Sequence, residues 1–273
     1  MESLRKIDYG AEVNLYLNQN FDLRLDEIKE KIESYLNISK QCDFFYLKRN
    51  RKVIKSDLQG RNIYAKSYSP LNAKKWYDKL RDLTLFKSVA RKEMEALLIL
   101  KRANLPVIEP VLVIERKLSV WVTESIIVTC EFEGVGAEEI IFSAQYNYQL
   151  KKAIMEEVAK NLIKIHQADI VHCDYRFRNI LVNLSKNKGF ELAVIDLERA
   201  RVNYKWKYRR VKDWAKLIAD WLKALSALSI NKQEKIDLIE SQRQEYKEKV
   251  KLEYQLNNLE MKLLDKWINK ILK

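Results

Sequence analysis

The segment Ile170-Val-His-Cys-Asp-Tyr-Arg-Phe-Arg-Asn-Ile-Leu-Val182 carries the pattern His-x-Asp-x-x-x-x-Asn between a long apolar-striped run and a short β-prone one. Moving a γ-phosphoryl group needs a carboxylate that orients the attacking hydroxyl and accepts its proton, together with metal ligands that bridge the phosphates. Asp174 suits the first task. Asn179, at the far end of the same loop, reads as one Mg2+ ligand, and Asp196, which closes the apolar run Glu191-Leu-Ala-Val-Ile, as the second. A bare motif of this kind arises by chance. Its place after a helix, before a strand and ahead of a strand ending in Asp sets it apart from coincidence.

Upstream, Tyr148 to Gln167 places Ile154, Val158, Leu162 and Ile165 on one stripe, which predicts a long amphipathic helix. Ile180-Leu-Val and Glu191-Leu-Ala-Val-Ile predict two short strands, and helices are expected over most of 211–273. In the first half, Leu25, Ile28, Ile32 and Tyr35 recur at helical spacing. The runs Asp43-Phe-Phe-Tyr-Leu, Lys52-Val-Ile-Lys and Asn62-Ile-Tyr-Ala-Lys-Ser-Tyr predict an antiparallel meander, with a turn at Gln59-Gly60-Arg61. A helix is expected from about Ala73 to Ala103, ended by Pro106 and Pro110, with strands following near Val111–Glu115 and Ser125–Phe132. Strands first and helices afterwards argue an α+β fold. The expected division is a helical extension over 1–40, a sheet lobe over 41–132 and a helical lobe with a helical tail over 133–273.

A phosphoryl-transfer site also needs a lysine on a strand and a glutamate on a helix. Lys66, within Ile63-Tyr-Ala-Lys-Ser-Tyr, is the candidate for the first, set against the ordinary reading of a strand lysine as a solvated edge charge. Glu93 and Glu95 are two positions apart and project to nearly opposite sides of a helix. Glu93 shares its side with Ala90, Leu97 and Leu100 and is expected to face inward, whereas Glu95 lies near Arg91 and Lys92.

Composition bounds the class. With 273 residues, 47% hydrophobic, 33% charged and only five Gly and three Pro, the chain can bury a full core and carries no low-complexity stretch. Cys42, Cys130 and Cys173 are odd in number and far apart, which disfavours a disulfide framework and structural zinc. No signal peptide or membrane span of ~20 apolar residues is readable. A net charge of +13 favours anionic partners such as nucleic acid, acidic lipid or a phosphorylated glycan. Nucleic-acid binding rests on charge alone, without zinc-finger spacing or an aromatic RNA-binding motif.

His172-Cys-Asp-Tyr-Arg-Phe-Arg-Asn-Ile-Leu-Val, Val194-Ile-Asp-Leu-Glu-Arg-Ala-Arg and Arg210-Val-Lys-Asp-Trp-Ala-Lys-Leu together resemble the bacterial lipopolysaccharide core kinase family, which includes heptose and Kdo kinases. Arg91-Lys-Glu-Met-Glu-Ala-Leu and the turn Leu100-Lys-Arg-Ala-Asn-Leu-Pro106 are similar to that family's helix and following turn. The likeness runs from roughly Phe44 to the early 220s. It implies a bilobal protein-kinase-like fold with a small antiparallel-sheet N-lobe and a helical C-lobe. The implied activity is transfer of the ATP γ-phosphate to a heptose or Kdo hydroxyl, in the cytoplasm against the anionic inner membrane, on a lipopolysaccharide core or lipid A-Kdo acceptor. Residue by residue, it implies that Lys66 contacts the ATP phosphates, Glu93 orients Lys66, Asp174 is the base, and Asn179 and Asp196 bind Mg2+. Arg176 falls where a protein kinase has a lysine touching the transferring phosphate. Asp213 either holds the catalytic loop or is an ordinary first-turn helix acid.

Several features depart from protein kinases. Lys48-Arg-Asn-Arg51 replaces a glycine-rich phosphate loop, so basic side chains are expected to help hold ATP; Gly134-Val-Gly136 comes too late in the chain for that role. Asp196-Leu-Glu stands in place of Asp-Phe-Gly, no Ala-Pro-Glu follows, and Leu197 to Lys212 contains no Ser or Thr, which speaks against peptide docking and loop phosphorylation. Arg199-Ala-Arg-Val-Asn-Tyr-Lys-Trp-Lys-Tyr-Arg-Arg-Val-Lys212 interleaves aromatics with cations and has no acid. Its place after Asp196 favours an anionic acceptor over a merely solvated face. His166, His172 and Cys173 are read as structural, with His172 bracing the loop. A protein kinase and a catalytically inactive binding module are the alternative readings.

Overall fold

The computed structural model describes residues 4–8, 13–19, 21, 31, 35, 46–48, 51–69, 87–118, 121–184 and 189–272. The chain forms two compact units, one comprising 1–99 with 108–132 and the other 100–107 with 133–273. The first is built on a seven-stranded antiparallel sheet in the order β1-β2-β6-β7-β5-β4-β3. Its strands are β1 (Leu4–Asp8), β2 (Val13–Asn18), β3 (Tyr46–Lys48), β4 (Arg51–Leu58), β5 (Arg61–Tyr68), β6 (Pro110–Leu118) and β7 (Trp121–Cys130). One face carries Leu15, Leu17, Ile54, Ile63, Ala65, Leu112, Ile114, Ile126 and Val128 into a common apolar cluster. The β4–β5 turn takes two left-handed residues, Gln59 (φ 55°) and Gly60 (φ 72°). That is the twist a two-residue hairpin needs, and Asp57 Oδ1 accepts the Gly60 N–H.

The beginning of the chain departs from the expected helical extension over 1–40. Its first elements are β1 and β2, which pair with one another, and β2 continues onto β6 through Leu15↔Ile114 and Leu17↔Leu112. The physical reason lies in the alternation Val13, Leu15, Leu17, whose period of two aims one set of side chains at the core. Of the helical pattern at 22–35, Lys31 and Tyr35 are helical and the rest lies outside the described residues. The expected helix over 73–103 is likewise described only in its last part, α1 (Val89–Arg102). Its stop is Asn104 in the left-handed region rather than the prolines: Asn104 N–H donates to Lys101 O at 2.9 Å and Leu105 N–H to Leu100 O at 3.0 Å.

The second unit is mainly helical. It holds α2 (Ala137–Phe142), α3 (Tyr148–Gln167), α4 (Lys207–Ser226), α5 (Lys232–Tyr254) and α6 (Asn258–Leu272). A small antiparallel sheet runs β10-β9-β8, made of β8 (Val135–Gly136), β9 (Ile180–Asn183) and β10 (Glu191–Val194). The α3 stripe Ile154, Val158, Leu162 and Ile165 is fully buried. Asn147 caps α3 by accepting the Leu150 N–H at 2.9 Å. The helix α4 is the central one, with Trp214, Leu217, Ile218 and Trp221 fully buried and both tail helices packed against it. Trp221 stacks on Tyr148 at 6.3 Å and donates its indole N–H to Gln242 of α5 at 3.2 Å. Among the described residues no helix is long and apolar enough to cross a membrane.

Burial separates the tryptophans by consequence. Trp221→Ala is expected to lower unfolding free energy by about 3–5 kcal/mol in urea titrations. Trp206, 72% exposed, should tolerate the same change within about 0.5 kcal/mol.

Candidate active site

The segment that carries the candidate base and metal ligands starts where α3 stops. Asp169 takes a left-handed conformation (φ 55°), and the N–H groups of Asp169 and Ile170 close the helix on His166 O and Ile165 O. Val171 then forms an antiparallel bridge with Arg201, through N–H···O bonds of 3.0 and 2.8 Å in the two directions. The basic run after Asp196 therefore lies alongside the entry to the loop. Tyr204 N–H extends the contact by donating to Asp169 O at 2.9 Å.

Cys173 is also left-handed (φ 66°), a conformation that a residue with a Cβ adopts only under constraint. The constraint is Asp213, buried in the first half of α4, whose Oδ2 accepts the Cys173 N–H at 3.0 Å. Asp213 thus holds the loop, one of the two roles open to it from sequence. Burial pushes the Cys173 thiol up, and Asp213 adds to the effect. That keeps it a thiol rather than a nucleophilic thiolate. His172 is buried and bridges two segments: its Nε2 meets Ile195 O at 3.1 Å and its Nδ1 accepts the Asp174 N–H at 3.4 Å. The imidazole ties the loop to the end of β10, just before Asp196.

Asp174 sits among three cations. Arg178 Nη2 reaches Oδ2 at 2.7 Å, Lys216 Nζ reaches Oδ1 at 3.0 Å, and Arg176 Nε lies 3.6 Å from Oδ1. Lys216 also donates to Cys173 O. Burial would push the carboxyl up, but the Arg178 guanidinium and Lys216 ammonium outweigh it and hold Asp174 well below the usual carboxylate range. It is an acceptor at every physiological pH. Asn179 ends a 3-10 turn (Phe177–Asn179), and its Nδ2 donates to Asp174 O at 2.8 Å. With the amide nitrogen so engaged, Oδ1 is the atom left for a cation.

The β9–β10 hairpin brings the two remaining acidic-site residues to one end. Asn179 precedes β9, Val194 pairs with Ile180, and Ile195 N–H donates to Asn179 O at 3.0 Å, so Asp196 follows directly. Asp196 is left-handed as well (φ 60°) and starts the 3-10 turn Leu197–Arg199. An amide oxygen and a carboxylate form a hard-oxygen pair that fits Mg2+, which is held through one or two protein ligands plus substrate phosphates. Among the described residues no group of three or more His, Cys, Asp or Glu forms a self-sufficient metal cage.

In the first unit, Lys66 lies on β5 between β4 and β7, inside the sheet and not on its edge. Its Nζ is 3.5 Å from Glu93 Oε1, and its side chain is only 19% exposed. Glu93 is buried and accepts the Tyr68 hydroxyl, whereas Glu95 pairs with Lys87 and Arg91. Of the Lys48–Arg51 turn, the backbones of Lys48 and Arg51 pair with each other, and Arg49 and Asn50 lie outside the described residues.

Sequence reasoning missed Lys216, Asp220 and Arg178. Asp220 accepts from Arg176 Nη1 at 2.7 Å and so holds the guanidinium beside Asp174. Asp213, Lys216 and Asp220 stand at i, i+3 and i+7 on α4, one helix face, which is the signal that would have found them once Asp213 was suspected. A cavity of about 460 Å3 lined by Pro106, Glu157, Asn161, Phe190, Glu191 and Leu192 includes none of these residues. The donor geometry, and not the concavity, defines the site.

A carboxylate ringed by cations, next to an Asn/Asp pair at a hairpin end, has the donor set that a phosphotransferase of the protein-kinase-like class needs. The model of the lipopolysaccharide kinase (Kdo/WaaP) family matches residues 45–246, and the chain belongs to that family. It is a kinase of lipopolysaccharide core synthesis with a sugar hydroxyl as acceptor. A solved structure described as WaaP in complex with acyl carrier protein is similar, with a TM-score of 0.64, 19% identity, and coverage of 92% of this chain and 98% of that one. The likeness supports the bilobal kinase-like fold. A search of curated proteins finds no match.

Burial raises the Asp220 carboxyl from 3.8 to about 6, against the pull of Arg176. An acid raised on folding keeps its proton in the native state while the unfolded chain releases it, so wild-type stability falls as pH rises through that window. Asp220→Asn lacks this loss. Thermal melts should show the variant gaining on wild type between about pH 4 and pH 6, and a flat difference would contradict the assignment.

Proposed function

We propose that the chain transfers the γ-phosphate of Mg-ATP to a heptose or Kdo hydroxyl of the lipopolysaccharide inner core. The observation that carries this is Asp174: a carboxylate ion-paired with Arg178 and Lys216, with Arg176 3.6 Å away and Asn179 Nδ2 bonded to its backbone carbonyl at 2.8 Å. In this reading the acceptor hydroxyl donates to Asp174, displacing one of the cations now bonded to it. A strongly depressed carboxyl orients the hydroxyl and takes its proton late, which suits the loose transition state of phosphoryl transfer. Arg176, steered by Asp220, and Lys216 lie where negative charge on the transferring group would be met.

Lys66, with Glu93 orienting it, is the proposed contact to the ATP phosphates, supported by their 3.5 Å pairing. Mg2+, when bound to Asn179 Oδ1 and Asp196, supplies charge neutralisation of the phosphates. Acceptor recognition is assigned to the run after Asp196. Among the described residues Arg201, Lys205 and Lys207 have no ion-pair partner, and Trp206 and Tyr208 are exposed beside them. Aromatic faces can stack on sugar rings and cations can hold phosphate or carboxylate groups. The same surface and the +13 charge support a cytoplasmic protein resting on the anionic inner membrane, and the similar WaaP structure with an acyl carrier protein supports such a carrier as a further partner.

Transfer of labelled γ-phosphate from Mg-ATP to dephosphorylated lipopolysaccharide core, beside a generic protein substrate and a no-acceptor control, tests the reading. Label on the glycolipid alone is expected. Label on protein alone would replace it with a protein kinase, and label on nothing with an inactive binding module.

A further inference from the structure

Resting on the assignment of Asp174 as the residue that orients the acceptor, the geometry points to Tyr254, in the last turn of tail helix α5, as a positioning residue for the catalytic loop. The Tyr254 hydroxyl lies 2.6 Å from His166 Nδ1 and accepts the Trp214 indole N–H at 3.1 Å. His166, near the end of α3, is 1% exposed, and its other nitrogen, Nε2, stands 3.6 Å from Asp213 Oδ2. That same oxygen accepts the Cys173 N–H at 3.0 Å, one residue before Asp174. Four elements, α5, α3, α4 and the loop, are thereby joined through buried polar atoms.

The chain of contacts has one consistent polarity. Trp214 can only donate, so the Tyr254 oxygen accepts from it; the Asp213 carboxylate can only accept, so the His166 ring turns its N–H toward Asp213 from Nε2 and leaves Nδ1 to take the Tyr254 hydrogen. Nδ1 is then the acceptor of the ring, and the N–H sits on Nε2, facing the Asp213 carboxylate. Burial lowers the His166 pKa despite Asp213, in keeping with a neutral ring that has one donor and one acceptor. Without the hydroxyl, Nδ1 is left in a dry site with no donor. The ring's other tautomer would satisfy nothing there and would turn a bare nitrogen lone pair toward Asp213. Asp213 would then be pushed at its contact with the Cys173 N–H, which helps keep Cys173 left-handed. The tail thus acts on Asp174 through His166 and Asp213, without approaching the reacting groups itself.

Tyr254→Phe keeps the ring and its edge contact with His166 at 5.7 Å and removes only the hydroxyl. The control is Gln242→Leu, which removes the other buried hydrogen bond between α4 and α5, from Trp221 at 3.2 Å, but has no link to His166. Both variants are compared with the wild-type full chain by hydrogen exchange of the peptide spanning 170–179, by melting, and by kcat and KM for Mg-ATP. Both should melt a few degrees lower than wild type. Only Tyr254→Phe should speed exchange in the loop peptide, by about tenfold, and lower kcat about tenfold with KM for Mg-ATP within about twofold. Loop exchange at the wild-type rate, or equal acceleration in both variants, overturns the proposal. If Tyr254→Phe does not fold, His166→Leu breaks the same chain and is judged by the same readouts. Exchange reports on the loop independently of activity: faster exchange with a wild type that transfers no phosphate would remove the proposed function and leave the positioning role standing.

Discussion

The hydrogen bond from Cys173 N–H to the buried Asp213 carboxylate is the contact on which the rest of the site depends. It holds a side-chain-bearing residue in the left-handed region immediately before Asp174, and so helps decide which way the Asp174 carboxylate points. The bond originates on α4, whose buried Trp214, Leu217, Ile218 and Trp221 fix it in the second unit's core. From one face of that helix Asp213 sets the loop backbone, Lys216 meets both the backbone and the carboxylate, and Asp220 restrains Arg176. Hydrophobic burial on one side of α4 becomes positional accuracy on the other.

The charge distribution around Asp174 fits the proposed phosphoryl transfer. Arg176, Arg178 and Lys216 surround one carboxylate, and the adjoining surface adds Arg201, Lys205 and Lys207. In the absence of phosphate these cations depress the Asp174 carboxyl. With a phosphoryl group present they have a second and stronger anion to meet. Three acids around this site have structural tasks. Asp169 pairs with Arg210 at 2.8 Å, Asp213 holds Cys173, and Asp220 holds Arg176.

The residues readable from sequence were those whose signal is local. The α3 stripe repeats every turn and is buried as its period predicts, and the contiguous His172–Asn179 motif and Asp196, at the end of a short apolar run, come together at one end of the β9–β10 hairpin. Glu93 was separable from Glu95 because two residues on a helix face apart. What escaped was non-local or masked by a competing pattern. The alternation Val13, Leu15, Leu17 was present, but its partner strand β6 lies far along the chain, and the helical spacing just after it dominated the reading of the first forty residues. Lys216 and Asp220 carry no motif of their own and become visible only when the register of α4 is fixed by Asp213. The stop of α1 at Asn104 was hidden by the more conspicuous prolines beyond it. The end of α5 gave no hint that a tyrosine there would meet a histidine on α3.

Whether the segment from His172 to Asp196 transfers phosphate is decided by Asp174→Ala. With Mg-ATP binding confirmed by calorimetry, the rate of γ-phosphate transfer to dephosphorylated core should fall about 10²–10⁴-fold, the usual contribution of a positioned proton acceptor. A folded, nucleotide-binding Asp174→Ala protein that transfers phosphate at the wild-type rate would contradict the account.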